Sequence, residues 1–143
     1  MTQLTLAKAQ TIIIGALAHA REKSLAPMAV VVLDARGVLK AYAAEDGTAL
    51  RRADIAIGKA HGALSLGVGS RTLGKHAVER PHFIAAVTHA VGGSLIPVPG
   101  GVLIRGGDNS IIGAVGVTGD TSDNDEAAGL AGLAAAGLTA DPG

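Results

Sequence analysis

The chain has 143 residues, with twelve basic and twelve acidic side chains, five histidines, no cysteine and no tryptophan. This length fits one domain over residues 1–143, and the lack of cysteine excludes disulfides, thiolate nucleophiles and cysteine-ligated metals. A net charge of zero with one Tyr and one Phe excludes the basic, ring-bearing surfaces that bind nucleic acid. The longest apolar runs are far shorter than the ~20 residues of a membrane span, so no membrane association is expected.

Small residues dominate the composition. The chain contains 28 alanines and 21 glycines, which predicts a core in which backbones approach one another closely. Its mean hydropathy is +0.40, and only 17% of its residues are charged. Because a monomer rarely leaves a large apolar surface in water, this composition predicts a homo-oligomer whose copies cover one another.

The first predicted element is a helix that Thr5 can cap. Spacings of three and four residues predict an inward face made of Leu6, Gln10, Ile13, Leu17 and Ala20. The opposite face is then expected to expose Lys8, Ile12, Gly15, His19 and Glu22, a mixture that suggests a contact surface. Residues 18–20 also resemble a signal-peptide cleavage site, but only one basic residue precedes them, so we favour a helix in a cytoplasmic protein over secretion.

Two hairpins and a long helix follow. An apolar run at residues 28–33, a turn at residues 34–37 and a run at residues 38–44 predict the first hairpin. Residues 50–66 then predict a helix, in which Gly58 and Gly62 are expected to mark close helix packing. Residues 102–105 and 111–117 predict the second hairpin.

The remaining predicted helices are shorter. Ser70 is expected to cap one, and Pro81 lies in the first turn of another that ends near His89. Asp123 and Glu126 have the spacing of a capping box before a helix that runs to about residue 136, and residues 139–143 are expected to fray. Helices alternating with hairpins are typical of an antiparallel α+β fold.

Common cofactor motifs are missing from the sequence. Gly67-Val68-Gly69 lacks the third glycine of a dinucleotide fingerprint, and no Lys follows a glycine-rich loop as phosphate binding requires. Residues 92–96 lack the closing glycine of a nucleophile elbow. No two histidines have the i, i+4 spacing that holds one zinc ion on a helix, so no metal site is expected within one segment.

Two histidines are candidate site residues. His19 is predicted to lie beside Gly15 and Ile12, where a flat apolar ligand can reach the helix backbone and the imidazole can meet a metal centre or a carboxylate. The alternative is a solvated side chain. His61 lies two residues after Lys59 in an apolar helix, so the two side chains point to different faces and one of them is expected to face inward. The alternative for His61 is ordinary packing.

A set of motifs extends over almost the whole chain. These are Leu4-Thr5-Leu6-Ala7, the strand at residues 28–33 closed by Asp34 and Gly37, Asp46-Gly47, Asp54-Ile55-Ala56 with Lys59-Ala60, Pro99-Gly100-Gly101-Val102, and residues 112–119 followed by Asp125-Glu126. With these motifs the chain resembles the GlcG/HbpS haem-binding family, and it is also similar to the C-terminal domain of PduO-type cobalamin adenosyltransferases.

The resemblance implies a fold, an assembly and a ligand. The fold would be a central antiparallel sheet of about five strands flanked by helices, assembled into oligomers, often octamers, with haem bound by some members. In the adenosyltransferase-like domain the haem ligand is a histidine on the first helix, and His19 is the residue here that can match it. His61 departs from the family pattern, in which an aromatic residue commonly follows the Lys-Ala pair.

Three functions are consistent with these features. The first is a haem or corrinoid-type tetrapyrrole-binding oligomer, with His19 as the possible iron ligand, Ile12 and Gly15 forming the flat site, and Lys8 or Lys23 meeting the propionates. The second is a cofactor-free acid-base enzyme, an isomerase, hydratase or lyase, acting on a small carboxylate or carbonyl compound. Its candidate catalytic residues are Arg51, Lys59, His61 and Arg105, since an Arg holds a carboxylate and a His transfers a proton near neutral pH. The third is an accessory protein without a ligand.

Overall fold

The computed structural model of the protein describes residues 3–143, which form five helices and five strands. In chain order these are α1 (Leu6–Glu22), β1 (Ala29–Asp34), β2 (Leu39–Ala44), α2 (Arg52–Leu66), α3 (Ser70–Glu79), α4 (Pro81–Ala90), β3 (Gly101–Arg105), β4 (Ile111–Thr118), α5 (Ser122–Ala135) and β5 (Thr139–Asp141). Within this part of the chain, no helix combines the length and the apolar character needed to cross a membrane.

The strands form one antiparallel sheet in the order β2-β1-β4-β3-β5. Helices α1 and α5 cover one face of this sheet, and α2 covers the other, with α3 and α4 packed beyond it. The predicted α+β fold, a five-stranded antiparallel sheet flanked by helices, is therefore confirmed.

The inward face of α1 differs from the predicted one. Thr5 caps the helix as expected, since its hydroxyl oxygen accepts a hydrogen bond from the Lys8 backbone N–H at 3.1 Å. However, Leu6 is 52% exposed, whereas Ile12 is completely buried. Residues 12–14 are three consecutive isoleucines, so the sequence pattern fits several helix orientations. Packing of α5 against the flank that carries Gly15 selects the orientation that buries Ile12.

Glycines bring backbones close together, as the composition predicts. A Cβ at Gly15 would lie 2.7 Å from the Ala135 Cβ on α5, and a Cβ at Gly116 on β4 would overlap the carbonyl oxygen of Ala56 on α2. Gly58 and Gly62 also mark close packing, but their neighbours are Ile96 and Leu95 in the segment after α4. The expected close packing of α2 at these two glycines is therefore confirmed, with a segment lacking regular structure as the partner.

Two predicted caps have other roles. Thr121 caps α5 by accepting a hydrogen bond from the Asn124 backbone N–H, while Asp123 and Glu126 bind the Arg71 guanidinium on α3. Ser70 lies inside α3, and its hydroxyl accepts a hydrogen bond from the Gly101 backbone N–H at 2.7 Å. Both predictions are wrong because contacts distant in sequence compete successfully for the same side chains.

The end of the chain is ordered and does not fray as expected. Strand β5 pairs with β3, and the Arg105 guanidinium lies 2.9 Å from the Asp141 carboxylate. Pro142 packs so tightly against Gly69 that a Cβ at Gly69 would overlap its carbonyl group. These contacts attach the last strand to both the sheet edge and the start of α3.

Candidate functional site

His19 lies in the last turn of α1, on the flank that faces α5. It is half-buried, and it follows Gly15 by about one helical turn on the same side of the helix. Gly15 contacts Ala131 and Ala135, so the surface next to His19 is formed by small residues of both helices. Ile12 lies in the core beneath this surface, and the expectation that it is exposed beside His19 is wrong.

The basic residues near this flank differ in their availability. The Lys8 ammonium group donates a hydrogen bond to the Ala136 carbonyl oxygen at 2.7 Å, which ties α1 to the end of α5. Lys23 is exposed just after α1. Within residues 3–143, neither the His19 imidazole nor the Lys23 ammonium group forms a side-chain hydrogen bond or an ion pair.

The four residues of the alternative enzyme hypothesis have separate partners. Arg51 pairs with Asp54 at 3.1 Å on the exposed start of α2, and Arg105 pairs with Asp141 at the β5 edge of the sheet. Lys59 points into the protein, whereas His61 points outward from the sheet. In the described part of the chain, no hydrogen bond or ion pair joins any two of these four side chains.

Lys59 forms a buried ion pair with Asp125. The Lys59 ammonium group lies 3.1 Å from the Asp125 carboxylate and donates a second hydrogen bond to the Val117 carbonyl oxygen at 2.9 Å. The other carboxylate oxygen of Asp125 accepts a hydrogen bond from the Asp120 backbone N–H at 2.8 Å. Burial lowers the pKa of Lys59, although the Asp125 charge opposes this effect. The pair is enclosed, so we interpret it as a structural link.

The partner of Lys59 was not identified from the sequence. Lys59 and Asp125 are 66 positions apart, and no periodic pattern connects positions on two different helices. The sequence prediction that Lys59 and His61 point to different faces, with one facing inward, is confirmed.

His61 is held where three elements meet. Its Nδ1 atom lies 2.7 Å from the Ser94 carbonyl oxygen, and its ring is next to the β1–β2 turn, where a Cβ at Gly37 would lie 3.5 Å from the ring. A carbonyl oxygen only accepts hydrogen bonds, so Nδ1 carries the proton. In the neutral imidazole the lone pair is therefore on Nε2, which has no hydrogen-bond partner among residues 3–143.

A metal ion bound by protein side chains alone has no obvious site. Residues 3–143 contain no group of three or more His, Asp or Glu side chains that could hold such an ion. His82 and His89 are exposed on α4, and His76 packs edge-on against Phe83.

Comparison with known proteins identifies the family. Residues 4–134 match the family model described as haem degrading protein HbpS-like. No curated protein sequence matches the chain significantly. In fold, the chain is similar to the PduOC:haem complex, with 19% identity, a TM-score of 0.86 and coverage of 96% of this chain and 98% of that one.

Two further structures share the fold. Protein ORFY of Klebsiella pneumoniae is 24% identical, with a TM-score of 0.84 and coverage of 96% of this chain and 93% of that one. A double mutant of Streptomyces reticuli HbpS is 25% identical, with a TM-score of 0.79 and coverage of 94% and 87%. The match of the family model over nearly the whole chain means that this protein belongs to the HbpS-like family.

Proposed function

We propose that this protein binds haem and assembles into a homo-oligomer. The observation that carries the proposal is the match of residues 4–134 to the HbpS-like family, whose model is named for haem degradation. The similar fold of a haem complex, PduOC, supports it. Haem, when bound, supplies an iron centre with four pyrrole nitrogens, so the protein needs to provide only one or two axial ligands.

His19 is the proposed axial ligand on the α1–α5 face. Its imidazole is half-exposed and free of partners in the described chain, so it can approach an iron without breaking an existing hydrogen bond. Gly15 packs against α5, and the exposed Ala135 lies beside this contact, so the adjoining surface carries small side chains. This arrangement fits the flat face of a tetrapyrrole, and the exposed Lys23 is a suitable partner for a propionate.

A haemin titration of the purified protein tests this proposal. We expect a saturable Soret band for the wild type and a weaker or shifted band for His19→Ala. His82→Ala is the matched control, because His82 is exposed on α4, away from the α1–α5 surface. A band that His19→Ala leaves unchanged would reject His19 as ligand, and the lack of any saturable band would reject haem binding.

Apolar residues on the surface support the proposed oligomer. Ile14 on α1, Leu50 before α2 and Val78 on α3 are each more than half exposed in the single chain. Covering such side chains by a second copy removes apolar area from water and stabilises the assembly. Light scattering during size-exclusion chromatography measures the mass, and a monomer at every protein concentration would contradict this part of the proposal.

A further inference from the structure

The hydrogen bond between His61 and Ser94 fixes the chemistry of the imidazole. Nδ1 is committed to the Ser94 carbonyl oxygen at 2.7 Å, and the ring is held against the β1–β2 turn at Gly37. Histidines that bind metals commonly donate their second ring N–H to a carbonyl or carboxylate in this way, which orients the ring and makes the other nitrogen a better ligand. His61 has this arrangement before any ligand is bound.

An apolar surface lies on the α2 side of the sheet, on the strand that follows the turn contacted by His61. Strand β2 is at the edge of the sheet, and α2 packs on β1, β3 and β4 but leaves β2 largely uncovered. Leu39 and Tyr42 pair with Leu33 and Val31, two residues that pack against α2, so all four side chains lie on the α2 face of the sheet. Leu39 is 52% exposed and Tyr42 is 43% exposed. We call this surface of Leu39 and Tyr42 the β2 shelf.

One imidazole with a free Nε2 and a fixed ring suits a metal centre that brings most of its own ligands. A tetrapyrrole provides four nitrogens itself, so one oriented imidazole next to an apolar surface is sufficient. Arg36, which precedes Gly37 in the same turn, pairs with Asp34 at 3.0 Å but keeps 78% of its side chain exposed, so its remaining guanidinium N–H groups can also meet a propionate.

We propose that His61 is an axial ligand at a second haem site, formed by the α2 face of the sheet and the β2 shelf. This inference rests on the proposed haem function but is independent of His19, because α1 and α2 lie on opposite faces of the sheet. Each chain would then hold one haem on either side of the sheet.

The test counts haem per chain in four proteins: wild type, His19→Ala, His61→Gln and the double variant. Glutamine can still donate a hydrogen bond to the Ser94 carbonyl oxygen, so His61→Gln removes the imidazole while keeping the local contact. We expect two haems per wild-type chain, one in each single variant and none in the double variant. His89→Gln, an exposed change on α4, is the matched control and should still bind two haems per chain.

The possible failures are distinguishable. Wild-type stoichiometry in His61→Gln, or complete loss of haem in His19→Ala, would overturn the second site while leaving the proposed haem function intact. Lack of saturable binding by the wild type would overturn both. A separate measurement tests whether Nε2 of His61 is free to bind iron. Nitrogen-15 NMR of the haem-free protein should show the His61 tautomer that is protonated on Nδ1. The opposite tautomer would overturn the proposal.

A substitution on the β2 shelf tests whether this surface contributes to the second haem site. Leu39→Lys places a charge on the β2 shelf and leaves His61 unchanged. We expect it to abolish haem binding at the proposed His61 site and to leave binding at the proposed His19 site intact. Equal effects on both haems, or no effect on either, would contradict the assignment of the shelf to this site. Circular dichroism of each variant checks that the fold is retained.

Discussion

Lys59 on α2 and Asp125 on α5 connect the two helical layers of the protein around the sheet. Their charged groups are 3.1 Å apart, and each side chain is only 2% exposed. Because α2 and α5 cover opposite faces, this ion pair joins the layers at the point where β4 ends and β3 begins. A Cβ at Gly100 would lie 2.8 Å from the Lys59 ammonium nitrogen, so the loop before β3 also depends on this arrangement.

Removing one member of this pair should strongly destabilise the fold. Asp125→Asn or Lys59→Met leaves an uncompensated buried polar group, and we expect a loss of about 3–5 kcal/mol in the free energy of unfolding. The double variant Lys59→Met/Asp125→Asn should lose less than the two single losses added together, because it leaves neither charge unpaired. Urea unfolding measures all three, and additive losses would contradict the coupling.

Acid stability should depend on Asp120. Hydrogen bonds from the Asn124 side chain and the Ala26 backbone N–H lower the pKa of Asp120 to about 2, from an ordinary value of 3.8. Since the folded protein binds this proton more weakly than the unfolded chain, the stabilisation is complete above pH 3.8 and is lost as the pH falls through about 2.

The corresponding variant is Asp120→Asn. Its free energy of unfolding should fall less steeply than that of the wild type as the pH is lowered from about 4 to 2, because the titrating carboxyl is gone. Urea unfolding at a series of pH values measures the slope. Asp46→Asn, an exposed change in the loop after β2, is the control. Identical slopes for Asp120→Asn and the wild type would refute the prediction.

The contact between β4 and α2 should not tolerate a methyl group. Gly116→Ala places a Cβ against the Ala56 carbonyl oxygen, so α2 must move away from the sheet. Overpacking of this kind typically costs about 1–3 kcal/mol. Gly107→Ala is the control, because its Cβ would meet no atom within 4 Å. Urea unfolding of the two variants should show a loss for Gly116→Ala alone.

The two hydrogen bonds from the Arg71 guanidinium to the Glu126 carboxylate should require arginine at position 71. Its Nε and one terminal nitrogen each lie 3.0 Å from a different oxygen of Glu126, and these contacts join α3 to α5. Lysine cannot form both bonds at once, so Arg71→Lys should lower the free energy of unfolding by up to about 1 kcal/mol for this partly exposed pair. Arg51→Lys, at an exposed single contact, should change the free energy of unfolding less. An equal change in the two variants would contradict a specific role for the paired Arg71–Glu126 hydrogen bonds.

Local sequence signals were sufficient for most of the fold and insufficient for its contacts. Both hairpins and the Thr5 cap follow from short patterns, and the structure has them. The buried position of Ile12 could not be predicted, because three successive isoleucines give no unique helical face and the position of α5 decides between them. Strand β5 has three residues, too few for a period-two pattern to be recognised.

The sequence predicts the candidate site residues less completely than it predicts the fold. His19 and His61 stand out in the sequence because histidine is unusual in apolar helices, and the prediction that Lys59 and His61 diverge is confirmed. The orientation of the His61 ring depends on Ser94, which lies 33 positions away in a segment without regular structure. Such a contact leaves no periodic signal, so only the folded chain reveals which ring nitrogen is available.

Glycines in the α1–α5 layer also fix the position of one helix along the other. A Cβ at Gly15 would press on α5, and a Cβ at Gly132 would press on the backbone of α1, so sliding either helix along the other would bring a side chain into the space that only glycine leaves open. The two helices therefore interlock in one register. Since α5 begins about a hundred residues after α1 ends, this interlocked layer is made of contacts between distant parts of the chain. Such contacts slow folding, because a long stretch of chain must be brought together before they form.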